Sequence, residues 1–376
     1  MFAPAQRSKP YVRSCGLVSL NFVWHRYITT WKYIQDIHLT QFRGDAAMSG
    51  EYEPLFNITG RTTSKIVSIS AKVASLSQPF SAPPSPRLRR ANRIRSIKSS
   101  LAIEANSLSL KQVTDVIKGK PVLGPERDIL EVKNAYAAYL ILSELDPYSV
   151  KDLLRVHKLM TDGLVEESGR FRSSGVGVFS NNELIHMAPP AGMVRGHITN
   201  LLNWVRTSEW DPLVKSCVFH YEFEFIHPFA DGNGRMGRLW HTLLLSRWNP
   251  VLEWVPVESM IEKHQEEYYQ AINQSTERTD SGIFVEFMLN IIDEALNEFI
   301  TDQDTDQDVQ RARAVANCLS KKEMTSLEIM EKLGLSHRKT FRDNYLNPAL
   351  DLGLIEMTIP EKPTSKNQRY RLRKFE

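Results

Sequence analysis

Twelve residues near the middle of the chain constrain it most: His227-Pro228-Phe229-Ala230-Asp231-Gly232-Asn233-Gly234-Arg235-Met236-Gly237-Arg238. An apolar helical stretch ends in Phe225-Ile226 and delivers His227 to its C-terminal edge, and helical spacing resumes at about Arg235. Between them, Gly232 and Gly234 permit backbone angles closed to other residues, so successive N–H groups can converge as an anion nest. The start of the following helix adds a dipole that favours phosphate. Arg235 and Arg238, three apart, share a helix face and can both reach one polyphosphate. Asp231 offers a hard oxygen ligand to Mg²⁺. His227, with an ordinary pKa of ~6.5, suits removal of a hydroxyl proton near neutral pH. The run Asp-Gly-Asn-Gly could open a calcium loop, but Met236 stands where that loop requires Gly and Thr242 where it requires its closing Glu. A calcium loop is excluded.

The surrounding sequence reads as mainly α-helical. Helical patterns fall at about 58–77, 87–104, 109–118, 125–145, 149–163, 191–207, 211–226, 235–247, 258–274 and 281–300. Prolines between 78 and 86 break the first two apart. The one hairpin is 176–187, where Val176, Val178, Ile185 and Met187 flank Ser180-Asn181-Asn182. Residues 301–308, Thr-Asp-Gln-Asp-Thr-Asp-Gln-Asp, are polar and acidic and read as a linker. Beyond them, helices at 309–319, 325–333 and 337–351 precede strands at 354–358 and 369–373, with Ser336 expected as an N-cap. That order predicts a winged helix-turn-helix. The first 47 residues carry Arg7, Lys9, Arg13, Arg26 and Lys32 before the first acid, Asp36, and read as an organelle presequence or, as the blander expectation, an upstream extension translated from an early start codon ahead of Met48.

The balance of 47 Lys+Arg against 44 Asp+Glu does not by itself argue for a nucleic-acid partner. Three distant cysteines, Cys15, Cys217 and Cys318, make a poor disulfide framework and suggest a reducing compartment. No run approaches the ~18 consecutive apolar residues of a membrane span. The expected location is the cytoplasm.

The twelve-residue stretch resembles the signature of the Fic (filamentation induced by cAMP) family, H-P-F-x-[DE]-G-N-G-R-x-x-R, at every defined position. Leu154-Arg155-Val156-His157-Lys158-Leu159-Met160, Gly169-Arg170-Phe171-Arg172 and His186-Met187-Ala188-Pro189-Pro190 are similar to the segments that precede it. The resemblance covers roughly residues 52–300. It implies a Fic-type helical bundle with a short β-hairpin flap, and transfer of AMP from ATP to Ser, Thr or Tyr hydroxyls of a target protein. By position it implies His227 as general base, Asp231 as Mg²⁺ ligand, and Gly232, Asn233, Gly234, Arg235 and Arg238 as the ATP-binding set, with Phe229 as a buried anchor. It also implies that the hairpin aligns an extended target segment, with Val178, Phe179 and Ile185 as the residues to test.

Ser100 and Glu104 lie four apart on one helical face. Their surroundings resemble the family's inhibitory motif, [ST]-x-x-x-E-[GN], in which the Glu pairs with the second arginine, here Arg238. Ala105 departs from the Gly/Asn of that motif. The expected division is therefore an extension at 1–47, an N-terminal helical region at 48–124 with the inhibitory helix at about 91–106, a catalytic core at 125–300, the linker at 301–308 and the winged unit at 309–376. Other readings remain open: a DNA-binding regulator whose core senses nucleotide, a transferase using UMP or phosphocholine donors, and removal of AMP. Lys and Arg in the last unit make duplex DNA a candidate partner, and family habit makes a homodimer another.

Overall fold

The apolar pattern of residues 212–226 goes all round the helix rather than along one stripe, which marks a helix surrounded by protein. In the computed structural model this helix is the centre of the first of two compact units. The structure describes residues 52–77, 84–180, 183–319, 322–363 and 365–373, and the side chains of 177–187 lie outside the description. The extension at 1–47 lies outside it too. The described residues of 1–81 and 92–295 form one unit, and those of 82–91 and 296–376 the other.

In chain order the elements are α1 (Gly60–Leu76), α2 (Pro86–Ile103), α3 (Leu110–Ile117), α4 (Glu126–Leu140), α5 (Val150–Thr161), β1 (Gly177–Ser180), β2 (Glu183–Met187), α6 (Ala191–Thr207), α7 (Pro212–Ile226) and α8 (Asn233–Trp248). They continue with α9 (Val257–Lys263), α10 (Gln265–Arg278), α11 (Gly282–Cys318), α12 (Ser326–Lys332), α13 (Arg338–Phe341), α14 (Asn347–Asp351), β3 (Ile355–Met357) and β4 (Tyr370–Leu372). The chain is mainly α, as expected, with two small antiparallel sheets, β1–β2 and β3–β4.

Helices α7 and α8 pack against each other, with α6 beside α7. Val214, Cys217, Val218, Phe219 and Phe223 on α7 are buried with Met236, Leu239, Trp240, Leu243 and Leu245 on α8. Each such side chain contributes about 1.5–3 kcal/mol of burial. The turn between the two helices is therefore carried on two closely packed, buried helices.

Helix α2 is pinned to this core by a buried carboxylate. Glu258 on α9 accepts from Ser96 Oγ at 2.7 Å, Tyr139 Oη at 2.8 Å and Thr242 Oγ1 at 3.1 Å. Hydroxyls from α2, α4 and α8 thus converge on one charge, which is how a buried carboxylate is made tolerable. The end of α2 has a defined geometry. Asn106 N–H donates to Leu101 O at 3.1 Å and Ala105 N–H to Ala102 O at 2.9 Å, the pairing of a Schellman cap. This cap places Ala105 at φ 67°, a left-handed position normally filled by Gly.

Several expectations are corrected. Residues 301–308, expected as a linker, lie inside α11, which joins the helices expected at 281–300 and 309–319. The stretch has no Gly or Pro, and its polar side chains bond along the helix: Thr305 Oγ1 to Thr301 O at 2.8 Å, and Gln310 Nε2 to Asp306 at 2.8 Å. The helix expected at 258–274 breaks at His264, between α9 and α10. Ser336 is not an N-cap; His337 holds that position and makes no side-chain cap bond. The helix expected at 337–351 contains a π turn at Arg342–Leu346 between α13 and α14.

The second unit has its own core, including Ala312, Val315, Ile329, Phe341, Ala349, Ile355 and Tyr370. Its order of helices followed by a two-stranded sheet is the expected one.

A left-handed alanine is less favourable than a left-handed glycine by roughly 1 kcal/mol. Ala105→Gly is therefore expected to stabilise the first unit by about 1 kcal/mol, read as a higher urea midpoint at unchanged slope. An unchanged midpoint would mean that the cap carries no strain.

Candidate active site

Helix α7 ends where His227 turns left-handed, at φ 48° and ψ 61°. Its N–H donates to Phe223 O at 3.0 Å, and its ring Nδ1 lies 3.3 Å from Glu224 O. A carbonyl only accepts, so Nδ1 carries the hydrogen and Nε2 keeps the lone pair. This tautomer is the one that a general base at Nε2 requires.

The turn is held by an arginine that the sequence reading left without a role. Arg172 is buried, and its guanidinium donates to His227 O at 2.7 Å, Ser174 O at 2.9 Å, Ile226 O at 3.3 Å and Pro189 O. Its N–H also donates to Pro228 O at 3.0 Å. Burial presses its pKa down to about 10, and no carboxylate among the described residues pairs with it. The carbonyls at the C-terminus of α7 supply the compensating partial charge. Ser174 precedes β1 and Pro189 follows β2, so one side chain fixes both legs of the hairpin and the His227 turn.

Phe229 is the expected buried anchor. It stacks on His157 at 3.6 Å between ring centroids and on Phe171 at 5.6 Å. His157 in turn is fixed as a neutral ring. Gly169 N–H donates to its Nδ1 at 3.0 Å, so its Nε2–H donates to Asp231 O, also at 3.0 Å. Burial lowers its pKa to about 4 and keeps it uncharged at neutral pH. The Asn233 side chain closes the turn on itself, accepting from Phe229 N at 2.9 Å and donating to Phe229 O at 2.8 Å. The side chain of Asn233 shapes the loop.

Gly232 is left-handed at φ 87° and caps α8. The two arginines flank the glycines but meet different partners. Arg235 is buried, with Nη2 2.9 Å from Asp231 Oδ1 and Nη1 3.5 Å from Glu131 Oε1. Its Nε and Nη1 have no hydrogen-bond partner among the described residues. Buried donors without acceptors are rare and mark a place for an anion. Arg238, whose side chain is 1 % exposed, donates from Nη2 to Glu104 Oε1 at 2.8 Å and to Ser100 O at 2.9 Å, and from Nε to Ser100 Oγ at 3.1 Å. Burial alone would lower its pKa, but the Glu104 carboxylate leads the groups that raise it above its ordinary value. The Glu104 oxygen lies against the start of α8, where a Cβ at Gly234 would overlap it. The carboxylate thus occupies an anion position at a helix N-terminus. Nearby, burial raises the Glu224 pKa to about 8, and its Oε1 is buried without a hydrogen-bond partner among the described residues.

Asp231 carries two guanidiniums: Arg235 on Oδ1 and Arg127 Nη2 on Oδ2 at 3.0 Å. Burial would raise its pKa, but Arg235 and Arg127 outweigh that and lower it. Among the described residues, no group of three or more His, Cys, Asp or Glu could hold a metal on protein ligands alone. One carboxylate beside orphaned phosphate-type donors suits Mg²⁺, which is commonly held by one or two carboxylates together with nucleotide phosphates. The ring is completed by Glu131, which lies 3.4 Å from Arg127 Nε and accepts from Asn106 Nδ2 at 2.9 Å.

In the hairpin, Val178 pairs with His186 and Phe179 with Leu184, with a bulge between 178 and 179. Ile185 lies on β2. The side chains of all three test residues lie outside the description.

Arg172→Ala would leave four carbonyls short of a donor. It is expected to lower stability by on the order of 3 kcal/mol in urea unfolding, with partial recovery in Arg172→Lys. Equal stability of the three proteins would remove the strap from the account.

Residues 147–245 match the model of the Fic/DOC family, and 310–373 match that of the Filamentation induced by cAMP protein Fic-like, C-terminal domain. Among curated relatives, Protein adenylyltransferase Fic of Aedes aegypti is 29% identical over 231 residues, covering 57% of this chain and 43% of that protein. Protein adenylyltransferase fic-1 of Caenorhabditis elegans is 27% identical over 236 residues, covering 59% and 44%. The chain spans less than half the length of these relatives. Among solved structures, C. elegans Fic-1 shares the fold at 22% identity and TM-score 0.55, over 65% of this chain and 73% of that one. A Fic family protein from Desulfovibrio desulfuricans G20 is 47% identical, with TM-score 0.68, over 86% of this chain and 99% of that one. The chain belongs to the Fic family.

Proposed function

We propose that this chain transfers AMP from ATP to a hydroxyl group of a target protein and that Glu104 restrains the reaction. The observation that carries the reading is the Glu104 carboxylate on buried Arg238 at the start of α8, where the chain's own anion takes a phosphate position. The similarity to protein adenylyltransferases of Aedes aegypti and Caenorhabditis elegans supports AMP as the transferred group.

In this reading His227 Nε2 takes the proton of the target hydroxyl. The oxygen attacks the α-phosphorus, the bond from that phosphorus to the β-phosphate oxygen breaks, and pyrophosphate leaves. The product is a phosphodiester between AMP and the protein. Arg235 directs Nε, which has no hydrogen-bond partner among the described residues, to a phosphate oxygen, and Arg238 joins it once Glu104 has withdrawn. The N–H groups of the Gly232–Gly234 turn supply the nest. A divalent cation held by Asp231 and phosphate oxygens would neutralise charge on the leaving pyrophosphate. The hairpin holds the target segment beside His227 by backbone pairing, and Val178, Phe179 and Ile185 are its side chains to test.

The test is label transfer from α-labelled ATP with Mg²⁺. Glu104→Gly is expected to label well above wild type. Adding His227→Ala to it should remove most of that signal, since a positioned base contributes typically 10²–10⁴ in rate. Equal labelling with and without His227 would sink the base. Labelling only from a UMP or phosphocholine donor would change the transferred group, and loss of AMP from labelled target would add the reverse activity.

A second reading concerns the last unit. Among the described residues Arg338 and Lys339 are exposed and form no ion pair, and Arg342, Lys362 and Lys366 are also exposed. We read this unit as a winged helix-turn-helix whose basic side chains meet DNA phosphates. Duplex binding that weakens steeply with salt, falls in Arg338→Ala/Lys339→Ala and survives His227→Ala is the expected result. Absence of salt-sensitive binding would leave the unit a protein-contact module.

A further inference from the structure

Both oxygens of the Asp231 carboxylate are occupied, and the two arginines that occupy them differ. Arg235 sits four residues on, in the first turn of α8, with its side chain 4 % exposed. It is locked in place. Arg127 comes from another element, the first turn of α4, and its side chain is 57 % exposed. Its Nε lies 3.4 Å from Glu131 Oε1, four residues along the same helix. The guanidinium can therefore swing away from Asp231 without losing its own carboxylate.

A divalent cation on Asp231 needs an oxygen that Arg127 covers, and it would face a full positive charge at contact distance. Oδ2 has a second lone pair, but the guanidinium and the cation repel each other at this distance and compete for the carboxylate. Resting on the transfer reading above, we propose that Arg127 is a latch on Asp231: it is the resident counter-ion of the cation ligand and must leave before the cation enters. Arg127 thereby sets how much divalent cation the protein needs. It acts through Asp231 and is a positioning residue. The latch acts on a different partner from Glu104, which pairs with Arg238 at the other glycine of the turn.

The test is Mn²⁺ binding by electron paramagnetic resonance, with the full chain and α,β-methylene-ATP at saturation. Arg127→Gln is expected to lower the half-saturating Mn²⁺ concentration by about three- to tenfold, a range kept modest because Arg127 is largely exposed. Arg127→Lys should return it towards wild type. In the Asp231→Asn background, Arg127→Gln should bring no gain. Nucleotide affinity without metal should change less than about twofold in Arg127→Gln. An unchanged or raised Mn²⁺ requirement in Arg127→Gln overturns the latch and leaves the transfer reading standing. A large loss of metal-free nucleotide affinity also overturns it, by making Arg127 a phosphate contact. If neither protein binds Mn²⁺ with nucleotide, Asp231 is not a cation ligand, and the latch falls together with that part of the transfer reading. The label-transfer assay tests the rest of that reading independently.

Discussion

The deeply buried guanidinium of Arg238 needs compensating charge, and unlike Arg172 it takes it from a carboxylate. Breaking a fully buried pair by removing one partner costs about 3–5 kcal/mol, because the remaining charge is stranded; the cost is smaller here because the Glu104 side chain is 36 % exposed. In this structure the anion is Glu104, helped by Ser100 through its carbonyl and hydroxyl. The end of α2, the choice of glycine at 234 and the start of α8 all follow from that requirement. Glu104 can leave only if another anion replaces it, and a nucleotide phosphate is the chemically apt substitute. In the proposed reaction the two anions would exchange as counter-ions, with little net change in how many charges are buried.

The twelve-residue turn and the Ser100–Glu104 spacing were legible because their chemistry is local. Two glycines, a His, an Asp and two Arg within one turn and one helix start leave little freedom about where backbone donors point. The four-residue spacing put Ser100 and Glu104 on one face, and both meet Arg238. The Ala105 departure was visible too, and its left-handed φ gives the reason a Gly or Asn would suit the position.

What the sequence did not disclose depends on distant partners. Arg172 sits among residues quoted for their resemblance, but its four carbonyl acceptors come from segments spread between 174 and 227. No periodicity reports that. Glu258 looks like an ordinary helix surface residue until Ser96, Tyr139 and Thr242 close over it. The 301–308 stretch misled for the opposite reason. Its polarity suggested a linker, whereas the absence of Gly and Pro and the four-residue spacing of its polar groups favoured continued helix.

Glu131 gives the cluster a thermodynamic property. It accepts a hydrogen bond from Asn106, two residues past Glu104, and also faces Arg127 and Arg235, which hold Asp231. The end of α2 and the proposed cation ligand therefore draw on one shared acceptor. Two equilibria that share a group are linked, and linkage is reciprocal in free energy. Whatever factor helix release contributes to cation affinity, cation binding must return to helix release. In the proposed reaction, nucleotide and cation would then act as one combined signal rather than as two independent ones.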